Sequence, residues 1–362
     1  MTGAQAVPAT HAEDRAGAAG WKALLGGAPD LAGADRADLA GWAGRIADLL
    51  SPALADYLLA ALQQKTGPLI APERAAKSWL YSRFLRQRQI EAVRLVQQSG
   101  ARFICMKGFA FAHMIYGRPE ARIIGDVDLL LEPEDLGKAA AALARSGYSA
   151  LPIPSRFGFI SDSSFLPTVS ADGQVAVDLH VAPDAWPASR ALSTAAVFAR
   201  ATGFTADGLE LRAPAPEHAF FLLVTNMAKD RFGPEGVRKI VDAARLAAAC
   251  SGLEWEAVAA LARRGGYQRA LAAFLRLTEL LGGETGAPAR LSHGGPWAER
   301  EIGRVAASYR RAEVPRLAIR GKWRREFLLG PDPLSVLRIN LKRLRGLVRP
   351  GTGLPPGIPE RR

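Results

Sequence analysis

The chain has 362 residues, 49% hydrophobic and 23% charged, a composition that excludes disordered, collagen-like and fibrous classes and suits roughly two or three structural units. Its formal charge of +12 is concentrated: residues 310–349 hold twelve Lys and Arg against Glu313, Glu326 and Asp332, so +9 belongs to that segment. No run of about 18 apolar residues occurs, so no membrane-crossing helix is expected.

Residues 1–20 lack the basic start and apolar core of a signal peptide and read as a disordered leader, which makes the cytoplasm the default location. Residues 21–100 read as an N-terminal helical region, with helices over 21–25, 39–50, 52–62 and 74–99. The last is the clearest, because Leu85, Ile90, Val93 and Val96 recur at helical spacing and Gly100 stops it. The pattern then changes. Residues 102–107 form a short apolar strand ending at Gly108, 109–116 a short helix, and 122–131 a second strand. Pro133, followed by Glu134 and Asp135, opens a helix that runs to Gly147. Strands follow at 148–153, 165–170 and 174–181, the last two joined across Ala171-Asp172-Gly173. After Pro183 the sequence reads as helical, apart from a strand at 209–212, with helices over 216–229, 234–249, 255–264 and 269–281.

The expected organisation is therefore α+β: a small mixed sheet in a core over 101–213, a helical domain over 214–296, basic helices over 297–349 and a disordered tail over 350–362. Cys105 and Cys250 lie far apart in apolar segments, as buried thiols of a reducing compartment do.

The informative stretch is Gly125-Asp126-Val127-Asp128-Leu129-Leu130-Leu131. Strand side chains alternate faces, so Asp126 and Asp128 point the same way. Two neighbouring carboxylates in an apolar strand repel each other and are costly to bury. A hard divalent cation, Mg²⁺ or Mn²⁺, resolves the conflict; the alternative, a solvated strand end, stays open on this strand alone. Val175-Ala176-Val177-Asp178-Leu179-His180 is a second such run, and beside the first it would complete a three-carboxylate cluster able to hold two ions. His180 should share the face of Asp178, where it could orient a metal-bound water, an acceptor hydroxyl or Asp178 itself, or equally serve as a structural hydrogen-bonding histidine. Lys107-Gly108, at a strand-to-helix junction, lets a phosphate approach free backbone N–H groups. Arg118 and Arg122 could grip triphosphate oxygens or neutralise the aspartates.

Met106-Lys107-Gly108, Tyr116-Gly117-Arg118-Pro119, Arg122 followed by Asp126-Val127-Asp128, Gly147-Tyr148 and Val177-Asp178-Leu179-His180 together resemble the uncharacterised nucleotidyltransferase family of the DNA-polymerase-β-like superfamily. The resemblance covers about residues 74–242. It implies a small mixed sheet flanked by helices, a nucleoside triphosphate such as ATP, and Mg²⁺ held by Asp126, Asp128 and Asp178. Two departures stand out. The superfamily's usual glycine-glycine or glycine-serine before the first aspartate is Lys107-Gly108 here, a pattern typical of this branch, and where the branch often carries a histidine this chain has Thr225-Asn226-Met227. Asp230 and Asp242 could serve nucleotide or acceptor binding, but read better as members of a solvated helix face.

No phosphate-loop, dinucleotide-binding, zinc-protease or C-x-x-C motif is present. The sequence thus predicts a Mg²⁺-dependent enzyme moving a nucleoside monophosphate onto a small-molecule, peptide, protein or RNA acceptor. The alternative is a non-catalytic nucleotide- or RNA-binding protein, or one resting on an anionic membrane surface through residues 310–349. In that segment Val336, Leu337, Leu341, Leu344 and Leu347 stand against Arg338, Lys342, Arg343 and Arg345 as a basic amphipathic helix, which could dock on the protein's own body, lie on an anionic membrane or contact RNA.

Overall fold

A computed structural model describes residues 11–151, 165–315 and 317–348. The N-terminal helices are α1 (His11–Leu24), α2 (Arg36–Leu50), α3 (Pro52–Leu58), α4 (Ala60–Thr66) and α5 (Pro72–Gln98). The sheet unit follows: β1 (Phe103–Cys105), α6 (Lys107–Met114), β2 (Asp126–Leu131), α7 (Leu136–Arg145), β3 (Ser149–Ala150), β4 (Phe165–Val169) and β5 (Ala176–His180). Helix α8 (Thr194–Ala199) leads into a hairpin of β6 (Thr202–Ala206) and β7 (Leu209–Ala213). The rest is helical: α9 (Pro216–Lys229), α10 (Gly236–Ala249), α11 (Trp255–Gly265), α12 (Gln268–Leu280), α13 (Pro296–Arg310), α14 (Ile319–Leu329) and α15 (Pro333–Val348).

The five-stranded sheet has the order β1-β2-β5-β4-β3. β2 and β5 run parallel at its centre and the other neighbours pair antiparallel, so the expected small mixed sheet flanked by helices is what forms. The turn between β4 and β5 uses Gly173 at φ +71°, a conformation that side chains disfavour.

Alternation along β2 divides the molecule. Val127, Leu129 and Leu131 enter one apolar cluster with Val93 and Val96 of α5 and Leu143 of α7. Leu130 enters a larger cluster built from the N- and C-terminal helices. Asp126 and Asp128 have the parity of Leu130, so the carboxylates face the helical body and not α5 and α7.

Two expectations need correction. The leader is not structureless over its whole length: α1 begins at His11, and Ala16 and Ala19 are buried. Trp21 donates from its indole N–H to the Tyr309 carbonyl (2.6 Å) and Trp42 to that of Arg310 (2.7 Å), so the N-terminal helices are tied to α13. Strand β6 is the second, since 202–206 reads as helical in the sequence. Its turn, Asp207-Gly208, has positive φ at both residues (46° and 75°), the geometry that matches strand twist in two-residue hairpins. The expected strand at 148–153 falls partly, and the tail at 350–362 wholly, outside the described residues.

Candidate active site

Parallel pairing of β2 with β5 sets Asp128 directly opposite Asp178, with Asp126 opposite Ala176 and Leu130 opposite His180. Asp178 and His180 lie two apart on one strand and therefore share the face of Asp128. Asp128, Asp178 and His180 each offer a ligand atom, and these atoms all lie within 4.8 Å of one another. Asp126 stands two residues earlier, at the exposed start of β2, on the wall of the adjoining cavity.

Lys107 closes the cluster from α6. Its ammonium lies 2.5 Å from Oδ1 of Asp128, and Nε2 of His180 lies 2.7 Å from the same oxygen. Lys107 sits at φ +49°, in the left-handed region that suits glycine and strains other residues.

Electrostatics follow from burial and charge. Burial would raise the Asp128 carboxyl, but Lys107 and His180 hold it well below the usual carboxylate range. Burial works against the Lys107 ammonium too, and Asp128, with Asp126 and Asp178 behind it, more than offsets this and raises its pKa. Burial and then Lys107 lower His180, so its ring is neutral near pH 7 and Nε2 donates to Asp128. Burial followed by the Asp128 charge raises Asp126. Asp178 has no ion pair among the described residues; burial, Asp128 and Asp126 push it up to about 7.

The cluster is short of positive charge, and that decides whether a cation fits it. One ammonium serves three carboxylates, and the least compensated of them resists ionisation. Two carboxylate oxygens and an imidazole nitrogen lie within coordinating reach of one point, so the group could hold a metal ion, the two carboxylates supplying the negative charge that a cation would balance.

The cavity beside the cluster measures about 550 Å³, the scale of a small-molecule site. Lys107, Gly108, Asp126 and Asp128 form one side, and Asn226, Arg238 and Lys239 from α9 and α10 another. Gly108 lies in the first turn of α6. A Cβ there would meet the Arg122 guanidinium only at ordinary contact distance (3.5 Å), so packing does not demand glycine at this position.

Arg122 is buried and makes a two-pronged pair with Asp242: Nε to Oδ1 at 2.9 Å and a terminal nitrogen to Oδ2 at 2.7 Å. The Tyr116 hydroxyl donates to Asp242 Oδ1 at 2.7 Å. The expectation of a solvated face for Asp242 is therefore wrong: it is 1% exposed and fixes Arg122 on the cavity wall. Asp230 ends α9 and pairs with Lys239. Arg118 is exposed and stacks over the Trp79 ring at 4.6 Å, and it is not among the cavity's lining residues.

Arg238 escaped the sequence reading. Its Nε is buried without a hydrogen-bond partner, and a terminal nitrogen donates to the Leu50 carbonyl. Burial, and next the Arg122 charge, lower its pKa to about 10. Only the hydrophobic flank Val237, Ile240, Val241 hinted that α10 packs inward and carries its polar residues to a site.

Fold and site together define an α+β protein whose central parallel strand pair clusters carboxylates beside a cavity walled by both cations and acids. The chain matches the uncharacterised nucleotidyltransferase family over residues 52–283, and it belongs to that family. No curated protein matches it. The matched span contains every residue of the cluster and cavity discussed above, and it ends before α13, α14 and α15.

Proposed function

We propose that the chain is a polymerase-β-like enzyme that moves a nucleoside monophosphate from a nucleoside triphosphate to an acceptor hydroxyl or phosphate. The observation that carries this reading is the pairing of Asp128 with Asp178 across parallel strands, beside a cavity with Lys107 and Arg238 in its wall. Asp128 and Asp178, with Asp126 or His180, would hold Mg²⁺ or Mn²⁺, and the cation, when bound, supplies charge neutralisation for the triphosphate. Gly108 lets phosphate oxygens approach the N-terminal N–H groups of α6, and Lys107 and Arg238 add positive charge. Arg122, held by Asp242, lends the same wall a fixed guanidinium.

In the reaction, an acceptor oxygen attacks the α-phosphorus while the bond from that phosphorus to the bridging oxygen breaks. Pyrophosphate leaves with the electron pair, and the acceptor's proton passes to Asp178.

The test is release of pyrophosphate and transfer of α-labelled phosphate from each of the four triphosphates, with Mg²⁺ or Mn²⁺ present. Asp126→Ala combined with Asp128→Ala should lower transfer by about 10²-fold or more, since electrostatic stabilisation of that order is typical at phosphoryl sites. Turnover that survives the double substitution removes the proposal.

A further inference from the structure

Helix α15 lies outside the family match, and it docks on the body by its polar side. Asn340 donates to Glu326 (3.1 Å), Arg343 pairs with Glu326 (2.6 Å), and Arg190 reaches Asp332 at the start of the helix (3.3 Å). Val336 is buried with them. The leucines go the other way: Leu334 is 68% exposed, Leu337 49%, Leu341 46% and Leu344 50%. At positions i, i+3, i+7 and i+10 they form one continuous stripe along the helix. Single exposed leucines are ordinary, but an aligned apolar stripe marks a surface that something covers.

The residues bordering the stripe indicate what covers it. Arg338 and Lys342 flank it, are exposed, and make no ion pair with an acidic side chain among the described residues; the same is true of Arg320 and Lys322 on α14. Trp186, half-buried, borders the same groove as Arg338, Leu341 and Lys342, with the Lys342 ammonium 5.6 Å from its ring centre. An apolar stripe, cations beside it and an indole at its margin form the pattern of a helix lying in a lipid–water interface. No helix among the described residues is long and apolar enough to cross a membrane.

We propose that α15 is a peripheral docking helix for an anionic bilayer, with Leu334, Leu337, Leu341 and Leu344 entering the acyl boundary and Arg338 and Lys342 meeting the headgroups. Charge complementarity selects the bilayer: the +9 segment that carries α15 favours an anionic surface and disfavours a second, equally basic copy of itself. The inference does not depend on the nucleotidyl-transfer reading, because none of its residues lines the catalytic cavity.

The test is flotation of the full chain with phosphatidylcholine vesicles, with and without phosphatidylserine. Binding should need phosphatidylserine and be released by high salt, which shortens the Debye length to ~3 Å at 1 M. Leu337→Asp with Leu341→Asp should weaken it at least about tenfold, since charge is costly in the apolar boundary. Arg338→Gln and Lys342→Gln should each weaken it about fivefold, the effect of one cation near an anionic surface. Thermal melting of every variant should match the parent, because the side chains are exposed. Failure to bind phosphatidylserine vesicles, or binding indifferent to the leucine substitutions, overturns the proposal. So does a dimer in light scattering that the leucine substitutions dissolve, or salt-sensitive binding of RNA without vesicle binding.

Discussion

Replacing Asp242 tests the most heavily interlocked contact in the site. Its carboxylate accepts from two nitrogens of Arg122 and from the Tyr116 hydroxyl, and both Asp242 and Arg122 are buried (1% and 7% exposed). Asp242→Ala leaves a guanidinium uncompensated in low dielectric. Breaking a buried pair from one side costs about 3–5 kcal/mol. The upper end is expected, because Asp242 also offsets repulsion between Arg122 and Arg238, which lowers the Arg238 pKa. With a urea m-value of about 2–3 kcal/mol/M, the unfolding midpoint should fall by about 1–2 M. Asp242→Asn, which keeps the shape and one acceptor, should lose less. Asp242→Leu combined with Arg122→Met should recover most of the loss, as apolar replacements of buried pairs do. A loss under about 1 kcal/mol for Asp242→Ala would refute the reasoning, since it would mean Arg122 swings into the cavity and stays hydrated.

Two further outcomes are expected. His113 sits between the rings of Phe109 (5.0 Å) and Phe204 (6.2 Å), with Nε2 buried and unpartnered; burial, and then the Arg86 charge, lower its pKa to about 4. The unfolded chain takes that proton near pH 6.5 and the folded one only near 4, so stability should fall as pH drops through this window, by about 2 kcal/mol after solvent screening, and His113→Phe should flatten the slope. A Cβ on Gly20 would overlap the ring of buried Trp42, so Gly20→Ala should destabilise by about 1–3 kcal/mol, whereas Gly44→Ala, with open space around it, should gain up to about 1 kcal/mol. Equal urea midpoints for the two variants would argue against the packing of α1 on α2.

Much of the sheet was legible because its signals are local. The β4–β5 turn shows in Asp172-Gly173, and β2 shows in an apolar run cut by two acids. The β6–β7 turn has the same Asp-Gly signature, at Asp207-Gly208, but Thr202-Gly203-Phe204-Thr205-Ala206 lacks the branched apolar residues that mark a strand. Helix α1 was obscured by its alanines and glycines, which match the helical period only weakly and are buried by Trp42 and α13. The outward turn of the α15 leucines is also invisible in its periodicity, which defines an apolar face and leaves open what that face meets.

The sequence by itself determined that Asp126 and Asp128 share a face and that Asp178 and His180 do, because side-chain alternation is a property of any strand. Only the tertiary structure decided that β2 and β5 lie side by side in parallel, with Asp128 against Asp178, that Asp242 turns inward to hold Arg122, and that Arg118 stacks on Trp79 away from the cavity. Local periodicity sets which way a side chain points. Which distant segment it meets depends on how the whole chain buries its apolar surface, and residues 120 positions apart, such as Arg122 and Asp242, meet only once that burial is complete.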